Sequence, residues 1–309
     1  MRHFHQLQEV ELSESLVAVG TFDGVHIGHR VMLEQMSREA HARGLLAVVV
    51  TFFPHPVVVL RGLEGPHYLT LPDERARYLG EAGIDVVVTL KFTREMAAWS
   101  ARHFVQLLRA HLGMSELWAG PDFALGHNRE GDLPTLTSLG EELGYRVRVV
   151  SPFHHRGVVV SSSRVRALLA EGEVTEAAAM LGRPYSVSGP VVHGDSRGHT
   201  LGFPTANIDF WPQKIVPANG VYACRVWLQG QRYDAVTNLG VRPTFGTLPP
   251  LPRMEAYLLD FQQEIYGQTL EVAFIRRLRG EQRFESVEAL TAQIQRDIQA
   301  TREVLQYEP

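Results

Sequence analysis

Two rhythms divide the chain. Up to about residue 182, short runs of β-branched apolar residues alternate with stretches whose apolar positions recur every three or four. The runs LVAV (16–19), LLAVVVTF (45–52), DVVVTL (85–90), ELWA (116–119) and YRVRVV (145–150) read as strands. Between them, HRVMLEQMSREAHAR (29–43) stops at Gly44, PDERARYLGEA (72–82) at Gly83 and ARHFVQLLRAHL (101–112) at Gly113. Proline at a helix start and glycine just past its end punctuate these segments as helices. Strand and helix in alternation predict an α/β fold, a parallel sheet with helices on both faces. Such sheets bind ligands beyond the C-terminal ends of their strands.

After residue 182 the pattern shortens. RPYSVSGPVVHGDSRGHTLGFPTANIDF (183–210) is dense in glycine and proline. GVYACRVWL (220–228), QRYDAVTNL (231–239), RMEAYLLDF (253–261) and LEVAFIRRL (270–278) then follow as alternating runs. Their spacing predicts an antiparallel sheet closed as a β-barrel. The segment SVEALTAQIQRDIQATREVL (286–305) has apolar residues at 287, 290, 294, 298 and 304/305, the single stripe of a C-terminal helix lying across that barrel. The join falls in LGRPYSVSG (181–189), giving domains 1–182 and 183–309.

Length agrees: 309 residues exceed one comfortable core. A hydrophobic fraction of 45% and a charged fraction of 21% are ordinary for a globular enzyme. The net charge of −4 argues against a nucleic-acid partner. No apolar run approaches the ~18 residues of a membrane span, and the N-terminus lacks a signal-peptide layout. The lone cysteine, Cys224, excludes an internal disulfide and a cysteine-rich zinc site. The expectation is a cytoplasmic protein without membrane partners. A homo-oligomer is compatible with the sequence, but no residue demands one.

The stretch VAVGTFDGVHIGHRVML (17–33) carries the first candidate chemistry. A strand ends at Val19, Gly20 and Gly24 permit tight turns, and Gly28 allows close approach to a helix N-terminus, an end that favours anions. His26 and His29, at i and i+3, face one way. Read alone, they are packing histidines as readily as phosphate donors. Zinc is a weaker third reading, because Asp23 is the only nearby third ligand and PFHH (152–155) is distant in sequence. The segment VVVSSSRVRALL (158–169) is a second strand-to-helix turn, where serines cap and Arg164 and Arg166 offer planar cationic donors. Its bland reading is an ordinary N-cap with solvated arginines. Two anion-friendly turns in one α/β domain favour phosphate.

GDSRGHTLGFPTANI (194–208) poses a similar question. Gly194, Gly198 and Gly202 can place backbone N–H groups around a phosphate, or simply make a turn. Thr205 and Asn207 at i and i+2 point to one side and offer hard neutral oxygens suited to Mg²⁺ shared with a nucleotide. Glu255, an isolated acid in MEAYLLDF, reads by itself as an exposed-face residue, as do Asp234 and Asp260.

GTFDGVHIGHR with SSSRVR resembles the nucleotidylyltransferase superfamily. TFFPHPVVVL (51–60) and GPDFALGHNREGD (120–132) narrow the resemblance to the FMN adenylyltransferase module of prokaryotic bifunctional riboflavin kinase/FAD synthetases. GxxLGFPTANI, VYACRV, TNLGVRPTF (237–245), MEAYLLDF and LRGEQRFESVEALTAQIQRDI (278–298) follow the riboflavin kinase pattern in order, so the resemblance spans the chain. It implies a Rossmann-like nucleotidylyltransferase domain followed by a riboflavin kinase barrel. The implied activities are phosphorylation of riboflavin to FMN and adenylylation of FMN to FAD, both using ATP with Mg²⁺.

The resemblance also implies residue roles. Gly20, Phe22, Asp23, Gly24, His26 and Gly28 would form the turn around the ATP phosphates, with His29 stabilising the charged transition state. Ser162, Ser163, Arg164 and Arg166 would grip from the other side, Arg166 in a catalytic role. Asp122, Phe123, Pro54, His55 and Pro56 would lie toward the flavin. In the kinase, Gly194 and Gly198 would line the phosphates, Thr205 and Asn207 would bind the Mg-nucleotide, and Glu255 would take the proton of the riboflavin 5′-hydroxyl. His193, Arg197 and Arg279 are further phosphate candidates. The sequence departs from the family pattern at Phe53, Leu125, Ser163, Ser196 and Tyr257, which bear on the flavin pockets and the surroundings of the kinase base. Rival readings are a nucleotidylyltransferase for another phosphorylated substrate, and a flavin sensor without turnover.

Overall fold

The computed structural model describes residues 1–194, 202–241 and 252–307. Gly198, Arg197 and Ser196 lie outside the described residues. The chain forms two compact units, Met1–Ser162 and Ser163–Pro309.

The first unit is a six-stranded parallel sheet of β1 (Arg2–Phe4), β2 (Ser15–Val19), β3 (Leu46–Phe53), β4 (Val86–Lys91), β5 (Met114–Ala119) and β6 (Arg146–Val149). They lie in the order β1-β4-β3-β2-β5-β6. Helices α1 (Ile27–Ala42), α2 (Pro56–Arg61), α3 (Pro72–Glu81), α4 (Arg94–Ala97), α5 (Ala101–Leu112) and α6 (Leu133–Leu143) connect them. The strands read as unbroken apolar runs because both faces are covered. Val17 and Val19 of β2 pack into a core with Phe104, Val105 and Leu108 of α5. Leu16 and Ala18 pack into a second core with Leu33 and Met36 of α1. Strand β2 pairs with β3 on one side and β5 on the other, so the sheet order reverses there, the topological switch point beyond which open α/β sheets bind ligands. The histidine turn follows immediately.

The predicted strands and helices between residues 16 and 150 recur within two residues of their expected ends. Elements that periodicity does not reveal also form. Strand β1 is only three residues long. Helix α6, from a Pro-Thr-Thr-Ser-Gly-bearing segment, is held by Asp132, which accepts from the Thr135 N–H, and by Gly144 in the left-handed region. Burial of Leu136 and Leu139 overrides its modest intrinsic propensity. A small antiparallel pair, β7 (His154–His155) and β8 (Val158–Val159), precedes α7 (Ser162–Glu171), at whose first residue the first unit ends.

In the second unit α7 and α8 (Val174–Leu181) precede the barrel. Its strands are β9 (Tyr185–Val192), β10 (Ala206–Ile208), β11 (Gly220–Leu228), β12 (Gln231–Val241), β13 (Pro252–Leu258) and β14 (Thr269–Arg279). They close in the order β10-β13-β12-β11-β14-β9, antiparallel throughout. Strand β11 is buried on both faces, because the C-terminal helix Val287–Tyr307 packs on its outer side against Ala223, Ile275 and Arg225. That helix differs from its expected stripe in one respect. Its buried positions are Asp297, Thr301 and Leu305, whereas Val287 is exposed and Leu290, Ile294 and Ile298 are half-buried. Ile298, Val304 and Leu305 pack on the barrel, and an ion pair joins them: Arg279 of β14 donates through Nε and Nη2 to both Asp297 oxygens, at 2.7–3.1 Å, and Gln293 adds a further bond.

Removing the carboxylate from this pair leaves a mostly buried guanidinium uncompensated. Asp297→Ala is expected to destabilise the barrel unit by about 3 kcal/mol, a shift that urea unfolding will read.

Candidate active sites

The first site is built on strained backbone. Phe22 and Val25 adopt positive φ of 44° and 39° without being glycine, flanking Gly24 at 82°. Such conformations persist only where the surroundings enforce them. Here the enforcing group is Asp23, wholly buried, whose carboxylate accepts from the Leu69 and Thr70 N–H groups and from Thr70 Oγ1, all at 2.9–3.1 Å. Thr70 Oγ1 also accepts from the Gly24 N–H, and Ser162 Oγ donates to the Asp23 carbonyl. Asp23, expected as part of the turn around the phosphates, holds that turn through its carboxylate. Gly20 is fitted against the Phe22 ring, and Gly28 against the His26 ring and Phe153.

His26 is the N-cap of α1, its Nδ1 accepting from the His29 N–H. The two imidazoles stack with centroids 3.5 Å apart, and Phe22 meets His29 edge-on. His29 Nδ1 is buried without a hydrogen-bond partner. Desolvation first, then His26 and then Arg75, hold the His29 ring well below its usual 6.5, so it is neutral near pH 7. A buried nitrogen with no acceptor is cheaper bare than as N–H, which puts the single proton on Nε2 as a donor. Two imidazoles face one helix N-terminus, which is an arrangement for anions. Among the described residues no cluster of three His, Cys, Asp or Glu is placed to hold a metal, so zinc finds no third ligand there.

The remaining candidates expected for this reaction lie on other elements. Ser162 opens α7; Ser163 and Arg164 are exposed on it, and Arg166 is half-buried. Pro54, His55 and Pro56 follow the C-terminal end of β3, where the Phe53–Pro54 peptide is cis and His55 caps α2. Asp122 is exposed and its carbonyl accepts from Arg129 at 2.8 Å, while Phe123 packs against the first core. Leu125 is itself part of that core.

In the barrel, register makes the site. Asn207 of β10 pairs directly with Glu255 of β13, and Glu255 pairs on its other side with Asn238 of β12. Asn238 in turn pairs with Val221, and Val221 with Arg279. Residues directly opposite across antiparallel strands share a face, with Cβ atoms about 5 Å apart. Asn207, Glu255, Asn238, Val221 and Arg279 thus form one row around the barrel, and Thr205 stands just before β10. Glu255 is half-buried between two amides, unlike the solvated acid its isolation in sequence suggested. Gly194 touches the Asn207 side chain so closely that any Cβ there would overlap its carboxamide. A cavity of about 240 Å³ opens beside them, lined by His193, Gly194, Asn207, Asp209 and Arg253 among others. His193 stacks on Tyr266 at 3.8 Å, and Tyr257 meets Phe203 edge-on. Arg279, a candidate phosphate ligand, is committed to Asp297. Sequence reasoning missed Asn238 and Asp297; Asn238 alternates with the buried Thr237 and Leu239 and gains its place only through strand pairing, and Asp297 through its long-range ion pair.

Two family models match the chain, FAD synthetase over residues 8–164 and riboflavin kinase over residues 181–305. The bifunctional riboflavin kinase/FMN adenylyltransferase of Escherichia coli (strain K12) is 38% identical over 305 residues, covering 98% of this chain and 96% of the relative. The protein of the same description from Bacillus subtilis (strain 168) is 36% identical over 300 residues, 96% of this chain and 94% of its own. A crystal structure described as a macrolide-efflux protein from Streptococcus pneumoniae superposes with a TM-score of 0.87 at 31% identity, covering 97% of this chain and 98% of that one. Among the described residues no helix is long and apolar enough to cross a membrane. With a strained histidine turn in one unit and the Asn207–Glu255–Asn238 row in the other, the chain belongs to the bifunctional riboflavin kinase/FMN adenylyltransferase family.

Proposed function

We propose that this enzyme, which makes FMN from riboflavin and FAD from FMN, runs the two reactions at two separate phosphate sites. The kinase site is the row centred on Glu255 and the adenylyltransferase site is the turn bearing His26 and His29. The observation that carries this reading is chemical: one site sets a carboxylate between neutral amides, and the other stacks two imidazoles at a helix N-terminus above a carboxylate, Asp23, that is spent on holding the turn. Phosphorylating a hydroxyl benefits from a base; joining two phosphates does not. The residue ranges assigned are 1–182 for adenylyl transfer and 183–309 for the kinase, supported by the spans of the two family models. The contacts place α7 and α8 with the barrel unit.

In the kinase, Glu255 accepts the proton of the riboflavin 5′-hydroxyl as its oxygen bonds to the γ-phosphorus, and ADP leaves. Asn207 and Thr205 hold the nucleotide, and Gly194 leaves room for the Asn207 carboxamide. Thr205 and Asn207 oxygens, with Glu255 in register, are hard donors that fit Mg²⁺ sharing its shell with phosphates. When bound, the ion neutralises phosphate charge. In adenylyl transfer, an FMN phosphate oxygen bonds to the α-phosphorus as the bond to the β-phosphate breaks and pyrophosphate leaves. No covalent protein nucleophile is needed. His29 Nε2–H and His26 donate to the phosphate oxygens, and the arriving negative charge favours the imidazolium exactly where charge grows on the leaving group. Arg164 and Arg166 lie on the helix whose first residue bonds the Asp23 carbonyl, and they supply the opposing donors. Pro54, His55, Pro56, Asp122 and Phe123 face the flavin. The enzyme works in the cytoplasm, a reading supported by its single, buried, free thiol.

Three outcomes follow, read by chromatographic separation of flavins or by unfolding. His29→Ala is expected to abolish FAD formation while FMN formation from riboflavin persists, and Glu255→Ala to abolish FMN formation while supplied FMN is still converted; loss of both activities in either folded variant contradicts the division. Gly194→Ala should raise the kinase KM for ATP several-fold by displacing Asn207, with FAD formation from supplied FMN unchanged. The depressed His29 value means that the unfolded chain takes up a proton near pH 6.5 before the folded one does, so stability is present above 6.5 and lost as pH falls toward the depressed value. His29→Gln should flatten that slope in the first unit; an unchanged slope counts against the assignment.

A further inference from the structure

Beneath the histidine turn lies a second charged group that the reaction chemistry does not call for. Arg75 of α3 is fully buried, as is its partner Asp23, with Nη2 3.6 Å from Asp23 Oδ1. Its fork reaches in two directions. Nε and Nη2 donate to Thr70 Oγ1 and the Thr70 carbonyl at 3.4 and 3.3 Å, on the loop that clamps Asp23. Nη1 donates to Thr51 Oγ1 at 3.1 Å and to the Phe52 carbonyl at 3.0 Å, at the end of β3. Thr51 Oγ1 passes the connection on by donating to the Thr21 carbonyl at 2.9 Å, back in the histidine turn. Phe52 stands two residues before Pro54.

A buried ion pair is a poor source of net stability compared with apolar side chains of similar volume, and both cores around this one are apolar. What a planar fork supplies is fixed direction toward several acceptors at once. Lysine, a point charge on a flexible stem, does not. We propose that Arg75 is a positioning residue for adenylyl transfer: it fixes the turn bearing His26 and His29 relative to the β3 end leading into Pro54, His55 and Pro56, keeping attacking and leaving groups in line. This rests on the adenylyltransferase reading above. Misplacement of reacting groups by a fraction of an ångström lowers the rate of the chemical step more than it weakens binding of either substrate.

The test compares Arg75→Lys, Thr51→Val and His29→Ala in the full-length enzyme, measuring kcat and KM for FAD formation from supplied FMN, and FMN formation from riboflavin. The folded fraction is followed by far-UV circular dichroism and by urea unfolding monitored through tryptophan fluorescence, to which the buried Trp118 of the same unit contributes. Arg75→Lys is expected to lower kcat for FAD formation about tenfold or more per folded molecule, with both KM values within about threefold and FMN formation unchanged. Thr51→Val, which removes one link of the chain, is expected to lower kcat about threefold. A kcat for Arg75→Lys within twofold of wild type per folded molecule overturns the proposal, as does a loss that appears only in KM. If Arg75→Lys does not fold, Thr51→Val decides, and an unchanged kcat there overturns it. Persistence of FAD formation in His29→Ala would instead remove the underlying site assignment, a failure distinct from that of Arg75.

Discussion

A carboxylate sealed from water must find a partner for every lone pair it can, and Asp23 meets that demand by bending the chain around itself. Its hydrogen bonds to Leu69 and Thr70 and its ion pair with Arg75 fold the loop before α3 onto the end of β2, and they hold Phe22 and Val25 in a backbone region that side chains normally avoid. The positions of His26 and His29 follow from that strain. Without it the imidazoles would sit on an ordinary helix start; with it, they stack and one nitrogen is left dry.

The barrel reaches a comparable result by different means. Closure fixes the register of each strand against two neighbours, and a one-residue slip would turn Glu255 to the opposite face. Asn207, Glu255 and Asn238 come from three strands separated by long stretches of sequence, yet the ladder sets them side by side. The C-terminal helix secures the same face through Asp297 and Arg279. In one unit, then, local backbone strain positions the chemistry, and in the other long-range pairing does.

The two routes differ in how far the sequence reveals them. Alternating β-branched runs and glycine-stopped helices are local signals, and the parallel sheet and the barrel were both legible from them. Periodicity missed α6, whose helix forms because Leu136 and Leu139 are buried and Asp132 caps it. The C-terminal helix was legible from its stripe, whose Ile298, Val304 and Leu305 pack on the barrel, but the Asp297–Arg279 ion pair beside that stripe was not. The histidine turn was legible as glycine, histidine and helix start, but the clamp on Asp23 was not, since its partners lie some 46 residues away. Asn238 was invisible for the same reason: nothing local distinguishes an asparagine opposite a base from one facing solvent. Resemblance to the family supplied Glu255, which composition and spacing left among ordinary surface acids.

The account depends on each chain holding two nucleotide triphosphates at once, one at the histidine turn and one beside the Asn207–Glu255–Asn238 row. Equilibrium dialysis with a non-hydrolysable ATP analogue in the presence of Mg²⁺ measures this directly. The account predicts a limiting stoichiometry of two per chain; saturation at one per fully folded chain would contradict it.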